Sequence, residues 1–177
     1  MANTLHDECA VLLSAGRELI DISGLAKWST TSESFGVRFS KPGFEAYHVK
    51  KFGGDHSRYI AWIVFSVGVE NLVKSTLKCN NIKCTRLTLD GFLRKDKENN
   101  LVGLCVQLFT KHPVIDRNIF LAGLNQLKDF RNRDLHQYAI NVRDSNFTEV
   151  ENNIIPALNE LLKALDHVHS KKIPNTA

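Results

Sequence analysis

The stretch HSRYIAWIVFSVGVENLVKSTL, His56 to Leu77, is the part of the chain from which the fold class is read. Tyr59, Ile60, Ile63, Val64, Val67, Leu72 and Val73 recur at helical spacing, and Trp62 and Phe65 widen the stripe. A helix this apolar is expected at the centre of a bundle, where several partners can cover it. Gly68 costs about 1 kcal/mol against alanine in a helix interior, so it points to a close helix contact.

Beyond this helix, residues 80–100 are polar and turn-rich, and residues 101–109 read as a short helix stopped by His112 and Pro113. Asp116 can cap the next helix, expected over residues 117–136, with Ile119, Phe120, Leu124, Leu127 and Phe130 on one face. A last helix is expected over residues 147–168, capped by Thr148 or Asn146 and kinked at Pro156. Its stripe is Val150, Ile154, Leu158, Leu161, Leu162 and Leu165.

On the N-terminal side, Leu5, Cys9, Leu12, Leu13, Leu19, Ile20 and Ile22 suggest a helix over residues 5–26, with Gly24 as its stop. Residues 28–55 change composition and read as a loop with one short strand near residues 35–39. The expectation is an all-α, up-and-down bundle of four to five helices with an irregular N-terminal connection. Residues 1–55 would pack on a bundle over 56–170, followed by a tail over 171–177.

Composition bounds the function classes. A chain of 177 residues, 43% hydrophobic and 24% charged, has the make-up of a soluble globular domain. The first residues carry no basic leader ahead of the apolar ones, and no uninterrupted apolar run approaches the ~20 residues of a bilayer span. The expectation is therefore cytoplasmic, without a membrane partner. A net charge of +4 permits nucleic-acid binding without arguing for it. Cys9, Cys79, Cys84 and Cys105 lack zinc-site spacing and read as reduced thiols, so neither metal nor cofactor is expected.

The densest chemistry lies at the end of the fourth expected helix, in FRNRDLHQY, Phe130 to Tyr138. On a continuous helix Asn132 and His136 would stack, and the amide could fix the imidazole tautomer. Arg131 and Tyr138 would share a face. The plain alternative is a solvated helix end, where arginine suits the dipole. Glu70 and Lys74, four apart, are either a surface pair or the lining of a cleft. The remaining histidines, His6, His48, His56, His112, His167 and His169, show no partner spacing and read as exposed or capping residues.

Arg131, Asn132 and His136, at the end of a core helix, resemble the signature of the HEPN superfamily. Glu70 and Lys74 resemble its second motif, with Ser75 where a further basic residue is often found. RNRDLHQY is also similar to HEPN toxins paired with a minimal nucleotidyltransferase antitoxin, in which the tyrosine receives AMP; Tyr138 stands at that position. The resemblance covers roughly residues 56–168. It implies a HEPN-like bundle and a homodimer that cleaves RNA at a composite site as a toxin or phage-defence nuclease. The alternative is a non-catalytic HEPN module binding RNA, nucleotide or a protein partner.

The residue chemistry fits a metal-independent endoribonuclease. RNA carries its own nucleophile, so such an enzyme needs a base near the 2′-hydroxyl and a cation at the phosphate. The unperturbed pKa of a histidine suits a base at neutral pH, the role His136 would take, and Arg131 can pair two phosphate oxygens. Lys74 and Arg133 would add cations for RNA, and Glu70 would orient Arg131 or Lys74.

Overall fold

The first helix, α1 (Ala2–Ser23), crosses the apolar helix α3 (Ser57–Cys79) at a contact where neither chain has room for a side chain. A Cβ on Gly16 would lie 2.9 Å from the Gly68 carbonyl oxygen, and one on Gly68 would lie 2.9 Å from the Ile20 nitrogen. Both glycines therefore let the two backbones touch, as Gly68 suggested. The structure is a computed structural model describing residues 2–54, 56–84, 87–98, 100–132 and 144–165.

Between α1 and α3 the chain is more regular than a loop. Ala26–Ser29 (β1) and Ser34–Val37 (β2) form an antiparallel hairpin with Trp28 opposite Phe35. The outer edge of β2 is answered by a side chain: Phe35 N–H donates to Asn159 Oδ1 at 2.7 Å, and Asn159 Nδ2 donates to the Phe35 carbonyl at 3.0 Å. A further helix, α2 (Lys41–Phe52), replaces the expected loop. Pro42 and Gly43 look like breakers, but proline in the first helical turn removes only an N–H that has no partner there.

After α3 come a single turn, α4 (Leu89–Phe92), then α5 (Leu104–Lys111) and α6 (Arg117–Phe130). Asp116 caps α6 as expected, accepting from the Asn118 and Ile119 N–H groups at 3.0 and 3.1 Å. The last helix starts earlier than expected, at α7 (Asp144–Glu149), so Thr148 and Asn146 lie within it rather than capping it. A π-helical segment, Val150–Ile154, then leads into α8 (Ile155–Leu162). Pro156 sits in the first turn of α8, and the wider π turn gives a place to a ring that would clash with a regular preceding turn.

One core joins these elements: Ile20, Phe35 and Phe44 share it with Phe65, Leu72, Phe120, Leu124, Leu158 and Leu161. The buried side of α3 matches the stripe read from spacing only in part, at Trp62, Phe65, Leu72 and Val73. Ala61, Trp62, Phe65, Val69, Leu72, Val73 and Leu77 are buried, whereas Val67 is exposed and Ile60, Ile63 and Val64 are partly so. A helix apolar on all sides gives periodicity little with which to choose a face. It also has the length of a bilayer span (23 residues), and an 18-residue window within it has a mean hydropathy of 1.3, beyond what uninterrupted runs suggested, with 61% of that window buried by the fold.

Candidate functional site

Three elements converge at the end of α6. Phe130 is buried, and Trp62 of α3 meets its ring edge-on at 5.4 Å, which pins the last turn of α6 beside α3. Arg131 follows directly, and its Nη1 donates to Glu70 Oε1 at 2.5 Å. Both side chains are mostly covered, at 26% and 20% exposure, so solvent screens the pair only partly.

The third element is α4. Leu89 and Phe92 are fully buried, and Phe92 packs on Phe120 at 5.9 Å. Thr88 caps the turn, its hydroxyl oxygen accepting from the Gly91 N–H at 3.1 Å. That anchoring delivers two polar groups to the site. The Leu89 N–H faces the Glu70 carboxylate. Asp90 Oδ1 accepts from Asn132 Nδ2 at 3.2 Å. Asp90 was not among the residues picked out from the sequence. TLDG reads as a turn, and no spacing rule links position 90 to position 132.

The electrostatics follow from this packing. Burial pushes the Glu70 carboxyl above its ordinary value, and the charge of Asp90 adds to the rise. Arg131, the Leu89 N–H and Lys74 oppose it without cancelling it. Lys74, one turn further along α3, also lies near the Cys84 thiol; burial raises the pKa of that thiol, while Lys74 and Lys78 lower it. The structure therefore brings Glu70, Lys74, Arg131 and Asn132 together. Arg133, His136 and Tyr138 lie outside the described residues. Residues 131 and 132 continue α6 as a π-helical turn, and the expected stacking of Asn132 on His136 lies outside the described residues.

A second polar cluster corrects the reading of His48. It is buried at 3% exposure, with Nδ1 2.7 Å from Ser57 Oγ and Nε2 2.7 Å from Glu45 Oε2. Arg58 completes the cluster, its Nη2 2.6 Å from Glu45 Oε1. These bonds tie α2 to the first turn of α3. His112 is likewise partnered, by the Asn80 side chain, and it stands at the C-terminal end of α5 as a capping residue should. His56 is exposed. The chains of His167 and His169 lie outside the described residues.

Cys9, Cys79, Cys84 and Cys105 are free thiols. Among the described residues, no group of three or more His, Cys, Asp or Glu side chains is placed to hold a metal ion. A separate open groove of about 510 Å³ runs between α1 and β1, lined by residues including Arg17, Asp21, Lys27 and Trp28. Arg17 stacks there on the Trp28 ring at 3.7 Å, and none of the residues expected from the sequence to form the site line this groove. No family model, curated protein or solved structure matches the chain.

Proposed function

We propose that the protein is a metal-independent endoribonuclease of toxin or phage-defence type, similar to HEPN nucleases and acting as a homodimer. The observation that supports this reading is the Arg131–Glu70 pair. It joins two motifs 61 residues apart in sequence, with Lys74 and Asn132 beside them. A guanidinium held by a carboxylate is pre-positioned, so little ordering is left to do when a phosphate arrives. In this mechanism Arg131 stabilises charge on the phosphate as the 2′-oxygen attacks, and Lys74 and Arg133 hold the flanking strand. His136 removes the 2′-hydroxyl proton. The bond from phosphorus to the 5′-oxygen breaks, and that oxygen takes a proton from the second copy's histidine, which must be protonated, and this gives the dimer its role.

The exposed edge of α3 suits that assembly. Ile60, Ile63, Val64 and Val67 lie on the same face as Glu70 and Lys74, so pairing this edge with its copy would cover apolar surface and bring two sites close. Tyr138 would stand at the mouth of the cleft. AMP transferred from ATP to its hydroxyl by a nucleotidyltransferase antitoxin, with pyrophosphate leaving, would place a phosphate against Arg131 and block RNA entry. The deciding experiment incubates purified protein with transfer RNA and total RNA in EDTA, beside His136→Ala. Cleavage by the wild type alone, leaving 2′,3′-cyclic phosphate ends, is expected. A magnesium requirement, or equal cleavage by His136→Ala, would overturn the mechanism.

A further inference from the structure

Gly16 faces Leu72 across the contact of α1 and α3, and Ile20 faces Gly68 one turn along, so the two helices run antiparallel. Seven residues make about two helical turns and return to the same face. Stepping that far back along α1 from Gly16, and forward along α3 from Leu72, arrives at Cys9 and Cys79. The helices are still in contact there: Ser75 Oγ donates to the Cys9 carbonyl at 2.7 Å, and Lys78 pairs with Glu8. The two thiols lie within hydrogen-bonding reach of each other. Cys9 is buried, whereas Cys79 is partly exposed at the last position of α3. A disulfide needs Cα atoms within about 7 Å, and helices whose backbones touch at glycine bring facing positions that near.

The geometry points to Cys9 and Cys79 as a dithiol that closes into a reversible disulfide, clamping α1 to α3 when a small-molecule disulfide such as oxidised glutathione is present. The clamp is independent of the nuclease reading. The partly exposed Cys79 thiolate attacks one sulfur of the oxidant, giving a mixed disulfide and one glutathione thiolate. Cys9 then loses its proton and attacks the Cys79 sulfur, so that the Cys9–Cys79 bond forms and the second glutathione leaves. Two cysteines are oxidised, one oxidant disulfide is reduced, and the two glutathione thiolates take up the protons the cysteines lost. Burial is the main restraint on Cys9, with the hydrogen bond and charge of Cys79 behind it. Capping Cys79 removes the latter two, and the Lys78 ammonium favours the Cys9 thiolate. Cys9 stays closed to reagents in free solution and meets only the sulfur seated beside it. The rival partner, Cys84, lies beyond the end of α3, after a turn at Asn81 with φ of 54°.

The test incubates the reduced full chain with oxidised glutathione at about pH 8, quenches it with N-ethylmaleimide and digests it with trypsin without reduction. Cleavage after Lys78, Lys83 and Arg86 puts Cys79 and Cys84 on separate peptides, 79–83 and 84–86. The expected product is peptide 1–17 joined to peptide 79–83, lost on adding dithiothreitol. The bond closes a loop of about seventy residues, so melting temperature should rise by roughly 5–15 °C and fall back on reduction. Cys79→Ser, at a partly exposed position, should fold normally and show neither the link nor the rise. Cys9→Ser should stop at a glutathione adduct on Cys79. A persistent adduct on wild-type Cys79, or peptide 79–83 joined to 84–86, overturns the pairing. The expected link without a rise in melting temperature overturns the clamp.

Discussion

Arg131 and Glu70 are 61 positions apart in sequence, and their side chains meet at 2.5 Å with about a quarter or less of each exposed. The contact makes Arg131 a structural as well as a chemical residue. Arg131→Ala leaves a largely covered carboxylate without its main partner, and should cost about 1–3 kcal/mol of stability. Glu70→Gln with Arg131→Ala should recover most of that loss, since no uncompensated charge remains. Both variants should be inactive on RNA. Chemical denaturation of the single and double variants checks the first point; an Arg131→Ala protein as stable as wild type would show that the pair carries no stability.

The raised Glu70 pKa has a definite sign in the pH dependence of folding. A carboxyl that holds its proton more tightly when folded contributes stability that is complete below its ordinary value of 4.5 and is lost as pH rises through the folded value. Wild type should therefore lose ground to Glu70→Gln as pH rises from about 4.5 through the raised folded value. Melting temperatures of the two proteins across that range measure it. A difference that stays flat would mean that Arg131 fully offsets the burial.

Glu45 behaves oppositely. Burial alone would raise its carboxyl, but hydrogen bonds from His48 and Arg58, and the Arg58 charge, hold it below 4.5. Its stabilisation is then present above pH 4.5 and is lost as pH falls through the lowered value. Glu45→Gln should be less stable than wild type at pH 6, and the gap should close in acid. Ser57→Ala, which leaves a ring nitrogen of buried His48 without its partner, should cost about 1–3 kcal/mol at pH 6.

Helix packing predicts a sharp contrast between glycines. A Cβ on Gly123 would lie 2.3 Å from the Asn153 carbonyl oxygen and 2.4 Å from the Ala157 Cβ, so α6 could not approach the π segment and α8 as it does. Gly123→Ala should cost about 1–3 kcal/mol or more. A Cβ on Gly36 would meet nothing within 4 Å, and Gly36→Ala should change stability by about 0.5 kcal/mol at most. Urea midpoints distinguish them; equal midpoints would mean that the helices can part at no cost.

Two thiols should be inert until the fold opens. Burial, reinforced by neighbouring Cys79, pushes Cys9 up to about 12, and burial pushes Cys105 to about 11. The thiolate is the reactive form, so neither residue should react with iodoacetamide at pH 8 on the timescale of an unfolded control. Peptide mass spectrometry reads each site separately. Rapid native labelling of Cys105 would contradict its enclosure.

Local chemistry was legible in the sequence wherever it acted over a turn or two. The Asp116 cap, the stop at Gly24, the close contact at Gly68 and the helical class all follow from short-range sterics and hydrogen bonding. The motif pairs Arg131–Asn132 and Glu70–Lys74 were visible as residue types, but their meeting was only an expectation. Tertiary packing decided the rest. It chose which face of α3 to bury, because an all-round apolar helix has no preferred side by itself. It kept α2 helical from a segment opening on Lys-Pro-Gly, since Phe44 and His48 gain partners there that the isolated sequence lacks. It brought Asp90 to Asn132, because the buried side chains of Leu89 and Phe92 dictate where α4 sits, and nothing in the spacing of residues 90 and 132 encodes that distance.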